Sequence, residues 1–125
     1  MSDSSPGPAA KLAEESAQNF IEERAGEQLG SADFKREHGV KFAYMSGSMY
    51  RGIASPSLVV RMAKAQLLGF FGTAGLSMAE IKQGIQQIRS ELNHGEAFGL
   101  NLICNIYEPK VELEIVRLYL AEGIH

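Results

Sequence analysis

The sequence predicts an α/β fold in which parallel strands alternate with helices. One module occurs three times between residues 39 and 105: an apolar run, a turn rich in Gly or Ser, and a helical pattern. The apolar runs are Val40–Tyr44, Leu67–Gly72 and Ala97–Cys104. Strands that alternate with helical segments at this spacing are typical of βα units on a parallel sheet. The carboxyl ends of such strands meet at one edge, where ligands bind in this class of fold.

Length and composition narrow the class of protein. The 125 residues are enough for one domain, and a net charge of −3 does not predict binding to nucleic acid. No apolar run approaches the roughly 20 residues that span a membrane, and the polar beginning of the chain is unlike a secretory signal. Cys104 is the single cysteine, which excludes an intrachain disulfide. We therefore expect a cytoplasmic protein without nucleic-acid or membrane partners.

The first 30 residues predict a tail and a leading helix. Residues 1–8 are rich in Ser, Pro and Gly, as in a flexible linker, so the folded domain is predicted over residues 9–125. A helical pattern covers Ala9–Leu29, with Gly30 as its C-terminal stop. The apolar residues on one side of this helix are Leu12, Phe20, Ile21 and Leu29. The polar segment Asp33–His38 is predicted as a connection into the first strand.

The three later helices have recognisable start signals. Ser55 precedes Pro56 as an N-cap before a proline at the first helical position. Ser77 and Glu80 have the spacing of a capping box. Gly84 interrupts the helix that follows, at a cost of about 1 kcal/mol relative to alanine. Glu108-Pro109 opens a last helix, whose residues predicted to face the sheet are Leu113, Val116 and Leu120.

Small and polar residues stand where the strands become helices. Met45, Ser46 and Gly47 follow the first run, Gly72 ends the second run with Gly75 just after it, and Asn101 lies in the third. An ordinary βα turn also favours Ser and Gly, so these residues alone do not predict a ligand. Asn101 is more informative, since a buried amide inside an apolar strand needs a polar partner. Its alternative role is a hydrogen-bonded amide of the core.

Other candidates have simpler explanations. Cys104 is predicted to be a small buried hydrophobic residue, and Met45, Met49 and Met62 are predicted to belong to the core rather than to a cofactor site. No spacing joins the three histidines into a metal site. The repeated βα units suit both an open doubly wound sheet and a closed (β/α)8 barrel, and periodicity does not distinguish them.

Three phrases carry a resemblance to a known family. They are YMSGSMYRGIAS over residues 44–55, LLGFFGTAGL over residues 67–76 and FGLNLI over residues 98–103. In this order they resemble the PfaD-type family, the trans-acting enoyl reductases of polyketide and polyunsaturated fatty acid synthases. That family is similar to the nitronate monooxygenases. The resemblance implies a partial (β/α)8 TIM barrel: a leading helix and the first three βα units of an FMN-binding domain.

The resemblance also implies a reaction and its ligands. NADPH would supply a hydride by way of FMN to an α,β-unsaturated thioester carried on an acyl carrier protein. In similar barrels the flavin ring rests on the backbone at the end of the first strand, and the asparagine of the third faces the flavin. The implied cofactor-binding residues are Met45, Ser46, Gly47, Gly72, Gly75 and Asn101. No catalytic residue is implied.

The sequence departs from the family pattern in three ways. Gln66 stands where the family has a glycine, and Cys104-Asn105-Ile106 replaces a phrase that often holds proline. The resemblance ends before a fourth strand, so we expect the isolated chain to hold FMN weakly or not at all. A non-catalytic α/β interaction module and a nitronate monooxygenase-type oxidoreductase remain alternatives. In each case unpaired strand edges predict a companion chain or homo-oligomer.

Overall fold

The structure is a computed structural model. It describes residues 8–124, without the side chains at 10, 14 and 19–24, so the predicted tail lies outside the described residues except for Pro8. The helices are α1 (Pro8–Gln28), α2 (Ala32–His38), α3 (Pro56–Lys64), α4 (Met78–Glu91) and α5 (Pro109–Ala121). The strands are β1 (Met45–Ser46), β2 (Leu68–Phe71) and β3 (Phe98–Leu100). No helix in this part of the chain is long and apolar enough to cross a membrane.

The three strands form one parallel sheet in the order β1-β2-β3. Ser46 is aligned with Gly69, and Phe71 with Leu100. The prediction of adjacent parallel strands alternating with helices is therefore confirmed. Three such strands occur in open sheets and in barrels alike, so closure into a barrel stays a prediction.

One face of the sheet is covered by helices. Phe71 is 2% exposed and belongs to a cluster with residues of α3 and α4. Gly69 lies so close to α3 that a Cβ there would be 3.0 Å from Val59 Cα. Because side chains alternate along a strand, Met45, Leu68, Phe70 and Gly99 point to the opposite face. The buried apolar side chains of the main cluster are Val59, Val60, Ala63, Phe71, Ile88 and Leu92.

Gly84 brings α4 close to the sheet. A Cβ at this position would lie 2.4 Å from Phe71 Cε1, which no ordinary contact allows. The glycine lowers helix propensity, but its missing side chain makes room for a fully buried aromatic ring. This explains why the apolar pattern of α4 tolerates an interruption.

The first strand lies further along the chain than predicted. Residues 41–43 form bends, Val40 and Tyr44 belong to no helix or strand, and the two-residue β1 begins at Met45. The amides of Lys41 and Phe42 share a single acceptor, the Gln66 carbonyl, at 3.0 and 3.5 Å, so this segment does not run in register beside β2. Phe42 instead packs near Gly26 at the end of α1. The apolar run reflects that packing.

A short helix was missed in the segment predicted as a connection. Ala32–His38 is α2, with Ser31 as N-cap accepting a hydrogen bond from the Phe34 amide. Its C-cap is Gly39, in the left-handed conformation at φ 62°. Both caps were visible in the sequence, but the polar composition between them favoured a loop.

The first helix is confirmed, but the packing predicted for its apolar side is not. Leu12 is 65% exposed and Leu29 is 70% exposed. Phe20 and Ile21, the other two residues of that predicted side, lie outside the described side chains.

The third unit also differs from its prediction. β3 ends at Leu100, so Asn101 stands one residue beyond the strand, and Cys104 is exposed rather than buried. Of the predicted face of α5, Leu113 and Leu120 are exposed. The helix instead packs through Ile115, Leu118 and Tyr119. With this side of α5 turned to the sheet, Tyr119 reaches a polar partner at the strand end, as described below.

Candidate functional site

The loops after the three strands meet at the carboxyl edge of the sheet. The loop after β1 lies across the loop after β2 and is fixed to it by backbone hydrogen bonds. The Arg51 amide donates to the Ala74 carbonyl at 2.8 Å, and Gly52 donates to Gly72 at 2.9 Å. In return the Gly72 amide donates to the Ala54 carbonyl at 2.9 Å. Arg51 has φ 52°, in a region that side chains rarely occupy, so this crossing is held against local strain.

Two of the predicted glycines are required by this crossing. A Cβ on Gly72 would lie 1.7 Å from the Met49 carbonyl oxygen, so only glycine lets the two backbones approach. Gly75 has φ 78°, and a Cβ there would meet the Tyr50 ring at 2.6 Å. Packing therefore explains both glycines without a ligand, and their contact with a cofactor stays a prediction.

The end of β1 presents an open stretch of backbone. A Cβ built on Gly47 would meet no atom within 4 Å among the described residues. Met45, on the face of the sheet opposite the helices, is 49% exposed and Met49 is 42% exposed, so the prediction that they belong to the core is wrong. Ser46 is aligned with Gly69 and so points towards α3, where its Oγ is buried with no hydrogen-bond partner in the described part of the chain. Any ligand at this strand end would therefore meet backbone and Met45 rather than the serine hydroxyl.

Asn101 is held at the end of β3 by Thr73 of the neighbouring loop. Its side-chain oxygen Oδ1 accepts from the Thr73 amide at 2.8 Å and lies 3.0 Å from Thr73 Oγ1. Its backbone carbonyl lies 2.9 Å from the same hydroxyl. The prediction that this asparagine needs a polar partner is confirmed. The partner binds the oxygen side of the carboxamide, and the structure shows no partner for Nδ2 among residues 8–124.

Tyr119 of α5 completes this group. Its hydroxyl donates to the Asn101 carbonyl at 2.9 Å and lies 2.8 Å from Thr73 Oγ1. Thr73 is 4% and Tyr119 is 7% exposed. Burial raises the pKa of Tyr119 above its ordinary value of 10.0, against a smaller opposing effect of the hydrogen bond with Thr73. The hydroxyl is therefore neutral, and a hydrogen-bond donor, throughout the neutral pH range.

Sequence reasoning missed both Thr73 and Tyr119. Thr73 lies two residues beyond the end of β2, which is a signal that was available. Tyr119 had no such signal, because only the rotation of α5 about its axis determines which of its residues meets the sheet.

A cleft of about 370 Å³ opens beside this group, between the loops after β2 and β3. Its polar wall includes Asn101, Thr73 and Glu112, whose Oε2 accepts from the Asn105 amide at 2.8 Å. Its other wall is apolar. The residues of that wall are Leu76, Ile103, Val111 and Ile115. A second cavity, of about 350 Å³, lies beside Gly39, Gln66 and Gly95 at the amino ends of the strands. It is therefore at the edge of the sheet opposite the predicted ligand site.

The residues at the carboxyl edge fit the ring of the implied flavin. Gly47 leaves backbone open to close approach, and Met45 offers an apolar side chain beside it. Asn101 keeps two amide hydrogens for an acceptor. β1 and β3 flank a single strand, so their ends lie roughly 10 Å apart, a distance that one extended ring system spans.

Relatives of the chain among known proteins come from polyketide or polyunsaturated fatty acid biosynthesis. No protein-family model matches the chain. Over 98 residues it is 43% identical to polyketide biosynthesis protein PksE from Bacillus subtilis, covering 78% of this chain and 13% of that protein. It is 47% identical to polyketide biosynthesis protein ThaF from Burkholderia thailandensis, again over 78% of this chain but 8% of ThaF. The chain thus spans a small part of the length of these relatives.

A solved structure shows the same relation. The chain superimposes on the enoyl reductase domain of MlnA, from the macrolactin biosynthesis cluster of Bacillus amyloliquefaciens, with a TM-score of 0.76. The match has 38% sequence identity and covers 78% of this chain and 22% of that one. A polyunsaturated fatty acid synthase component from a Thraustochytrium species is 33% identical over 96 residues, covering 77% of this chain and 6% of that protein.

Proposed function

Since the chain is homologous to the enoyl reductase domains of polyketide and polyunsaturated fatty acid synthases over a small part of their length, we propose that it works as part of such a reductase. In this proposal its leading helix and three βα units are the first portion of an FMN-binding (β/α)8 barrel. The substrate is an α,β-unsaturated thioester on an acyl carrier protein, and NADPH is the reductant. The observation that carries the proposal is the structural match to an enoyl reductase domain at 38% identity.

The chain's own residues have definite roles in this proposal. FMN, when bound, supplies the hydride-transfer chemistry that no amino-acid side chain provides. Gly47 lets the backbone at the end of β1 approach a flat ring, and Met45 covers part of it from the same side. Asn101 donates a hydrogen bond through Nδ2 to an acceptor on the ligand. The task of these residues is to orient the ligand, since placement is a large part of what a protein adds to cofactor chemistry.

Replacement of Asn101 tests the proposal. In an enoyl reductase that carries this segment, we expect Asn101→Ala to weaken FMN retention and slow enoyl-thioester reduction by about tenfold. The reason is the loss of a hydrogen bond worth about 1 kcal/mol or more. Flavin absorbance of the purified protein and NADPH consumption with an acyl-carrier-protein-bound substrate measure the two effects.

The matched control is Asn93→Ala, which removes an exposed asparagine after α4. It should retain both flavin and the parent rate. If the Asn101→Ala protein binds FMN and reduces the substrate as the parent does, the role of Asn101 is wrong. A parent protein that neither holds flavin nor reduces enoyl thioesters contradicts the proposed function as a whole.

A further inference from the structure

The hydrogen bonds around Asn101 determine which end of its carboxamide is available. An asparagine side chain offers one acceptor oxygen with two lone pairs and two donor hydrogens. The Thr73 amide has only a hydrogen to give, so the atom 2.8 Å from it is the oxygen, Oδ1. The Thr73 hydroxyl lies 3.0 Å from the same oxygen. The oxygen therefore faces Thr73 whether or not this hydroxyl donates to it, and the amide hydrogens remain for a ligand.

The Thr73 and Tyr119 hydroxyls each have one proton to donate. The possible acceptors are the two oxygens of Asn101 and the two hydroxyl oxygens themselves. If Tyr119 donates to the Asn101 carbonyl at 2.9 Å, Thr73 is free to donate to Oδ1. If Tyr119 donates to Thr73 instead, Thr73 still donates to one of the two Asn101 oxygens. In each arrangement the oxygens of Asn101 accept hydrogen bonds from Thr73, and in the first also from Tyr119. Both hydroxyls are buried, so water does not substitute for them.

We infer that Thr73 and Tyr119 are positioning residues that hold the Asn101 carboxamide so that it presents its amide hydrogens, and not its oxygen, to a ligand at the carboxyl edge. The inference rests on the proposed function only in taking that ligand to be the flavin ring. It goes further by setting the polarity of the contact: the ligand must offer an acceptor, a carbonyl oxygen or an unprotonated ring nitrogen. It also assigns a role to a residue of α5 that sits behind the sheet.

The first test measures the position of the carboxamide in the 125-residue chain without ligand. Isotope-labelled protein gives nuclear magnetic resonance signals for the Thr73 amide and the Asn101 side chain, the latter assigned by their loss in Asn101→Asp. In Tyr119→Phe we expect the Thr73 amide to exchange with solvent about tenfold faster relative to the Ile88 amide, and the Asn101 side-chain signals to average. The Ile88 reference, a buried residue of α4 outside the cluster that contains Tyr119, corrects for any change in global stability.

Thr73 provides a matched pair of variants. Thr73→Val removes the hydroxyl and should free the carboxamide as Tyr119→Phe does. Thr73→Ser keeps the hydroxyl and should restore the parent signals. If Tyr119→Phe changes the exchange rates of the Thr73 and Ile88 amides in the same proportion, or leaves the Asn101 signals as in the parent, the positioning role is refuted.

The second test uses FMN as the probe, titrated to millimolar concentration and followed by the shifts of signals near Asn101. We expect FMN affinity to fall about fivefold to tenfold in Tyr119→Phe and Thr73→Val, as for one lost hydrogen bond, and to persist in Thr73→Ser. Asn101→Asp keeps an oxygen for the Thr73 amide but replaces the donor by an acceptor, so it should lose FMN-dependent shifts altogether. Parent-like affinity in Asn101→Asp would show that the donor polarity is wrong.

The two tests separate this inference from the proposed function. If millimolar FMN shifts no signal near Asn101 in the parent chain, the exchange rates alone decide the positioning, and the Asn101→Ala variant of a reductase that carries this segment decides the proposed cofactor contact. If FMN binds and Asn101→Asp abolishes it, while Tyr119→Phe and Thr73→Val bind as the parent, the proposed contact stands and the positioning role fails.

Discussion

Two glycines at the carboxyl edge show that glycine at a strand end can have different structural roles. Gly72 and Gly47 both follow strands and were both predicted to meet a cofactor. A Cβ added to Gly72 would lie 1.7 Å from the Met49 carbonyl oxygen, whereas a Cβ added to Gly47 would have no described atom within 4 Å. One glycine is thus needed for the crossing of two loops, whereas the other leaves space unfilled.

This difference predicts that substitution by alanine lowers stability much more at Gly72 than at Gly47. Gly72→Ala should lower the free energy of unfolding by about 3 kcal/mol, at the upper end for overpacking, because the Met49 carbonyl it meets is backbone and cannot rotate away. Gly47→Ala is the matched control, and it should change stability by less than about 0.5 kcal/mol. Urea unfolding followed by circular dichroism measures both. Similar midpoints for Gly72→Ala and the parent would show that the loop crossing is not tight.

Among the elements, α4 is the helix whose beginning was most securely predicted. The Ser77 hydroxyl accepts from the Glu80 amide at 3.3 Å, and Glu80 Oε2 accepts from the Ser77 amide at 2.7 Å. The side-chain and backbone hydrogen bonds from Ser77 lower the pKa of Glu80 below its ordinary value of 4.5. The carboxylate is therefore more stable in the folded chain than in the unfolded chain.

This capping box predicts a pH dependence of stability. Because the pKa of Glu80 is lower when folded, its contribution is complete above pH 4.5 and disappears as the pH falls through the folded pKa. Ser77→Ala should cost about 1 kcal/mol at neutral pH, as N-cap serines do, and should flatten the acid limb of the stability curve. Thermal unfolding between neutral pH and about pH 3 measures this.

The control for the cap is Ser90→Ala, in the last turn of the same helix, where the serine hydroxyl donates to the Gln87 carbonyl. It should leave the acid limb unchanged. If the stability of Ser77→Ala falls with decreasing pH as steeply as that of the parent, Glu80 does not contribute to the acid sensitivity.

At the scale of the whole molecule, apolar residues after β3 lack cover. Ile106 is 74% exposed and Tyr107 is 89% exposed, and Leu102 and Ile103 beside them are about half exposed. β1 and β3 each pair on one side only within residues 8–124. An open strand edge next to an apolar surface recruits further chain, from the same molecule or another.

We therefore expect the 125-residue chain to self-associate. Its mass by light scattering should exceed that of one chain at high concentration and fall on dilution. The double substitution Ile106→Ser and Tyr107→Ser should reduce association without lowering stability, since both side chains are exposed. Gln86→Ser, on the exposed side of α4, is the control and should associate as the parent. A monodisperse monomer at high concentration would contradict this prediction.

The sequence by itself determined the order of elements in the βα units and the starts of α3, α4 and α5. These depend on local signals, namely apolar runs and capping residues such as Ser55 and Ser77, that act within a few residues of the chain. It also placed Asn101 and the β1 end at one edge of a parallel sheet, because parallel strands share a carboxyl edge. The family phrases carried the relation to enoyl reductases.

Only the tertiary structure decided which residues meet across that edge. The position of β1 depends on a carbonyl of Gln66 more than 20 residues further along the chain, and the fully buried ring of Phe71 explains Gly84. Tyr119 reaches Asn101 because α5 turns a different side to the sheet from the one its apolar spacing suggested. Such contacts join segments far apart in sequence, and their geometry follows from packing rather than from local pattern.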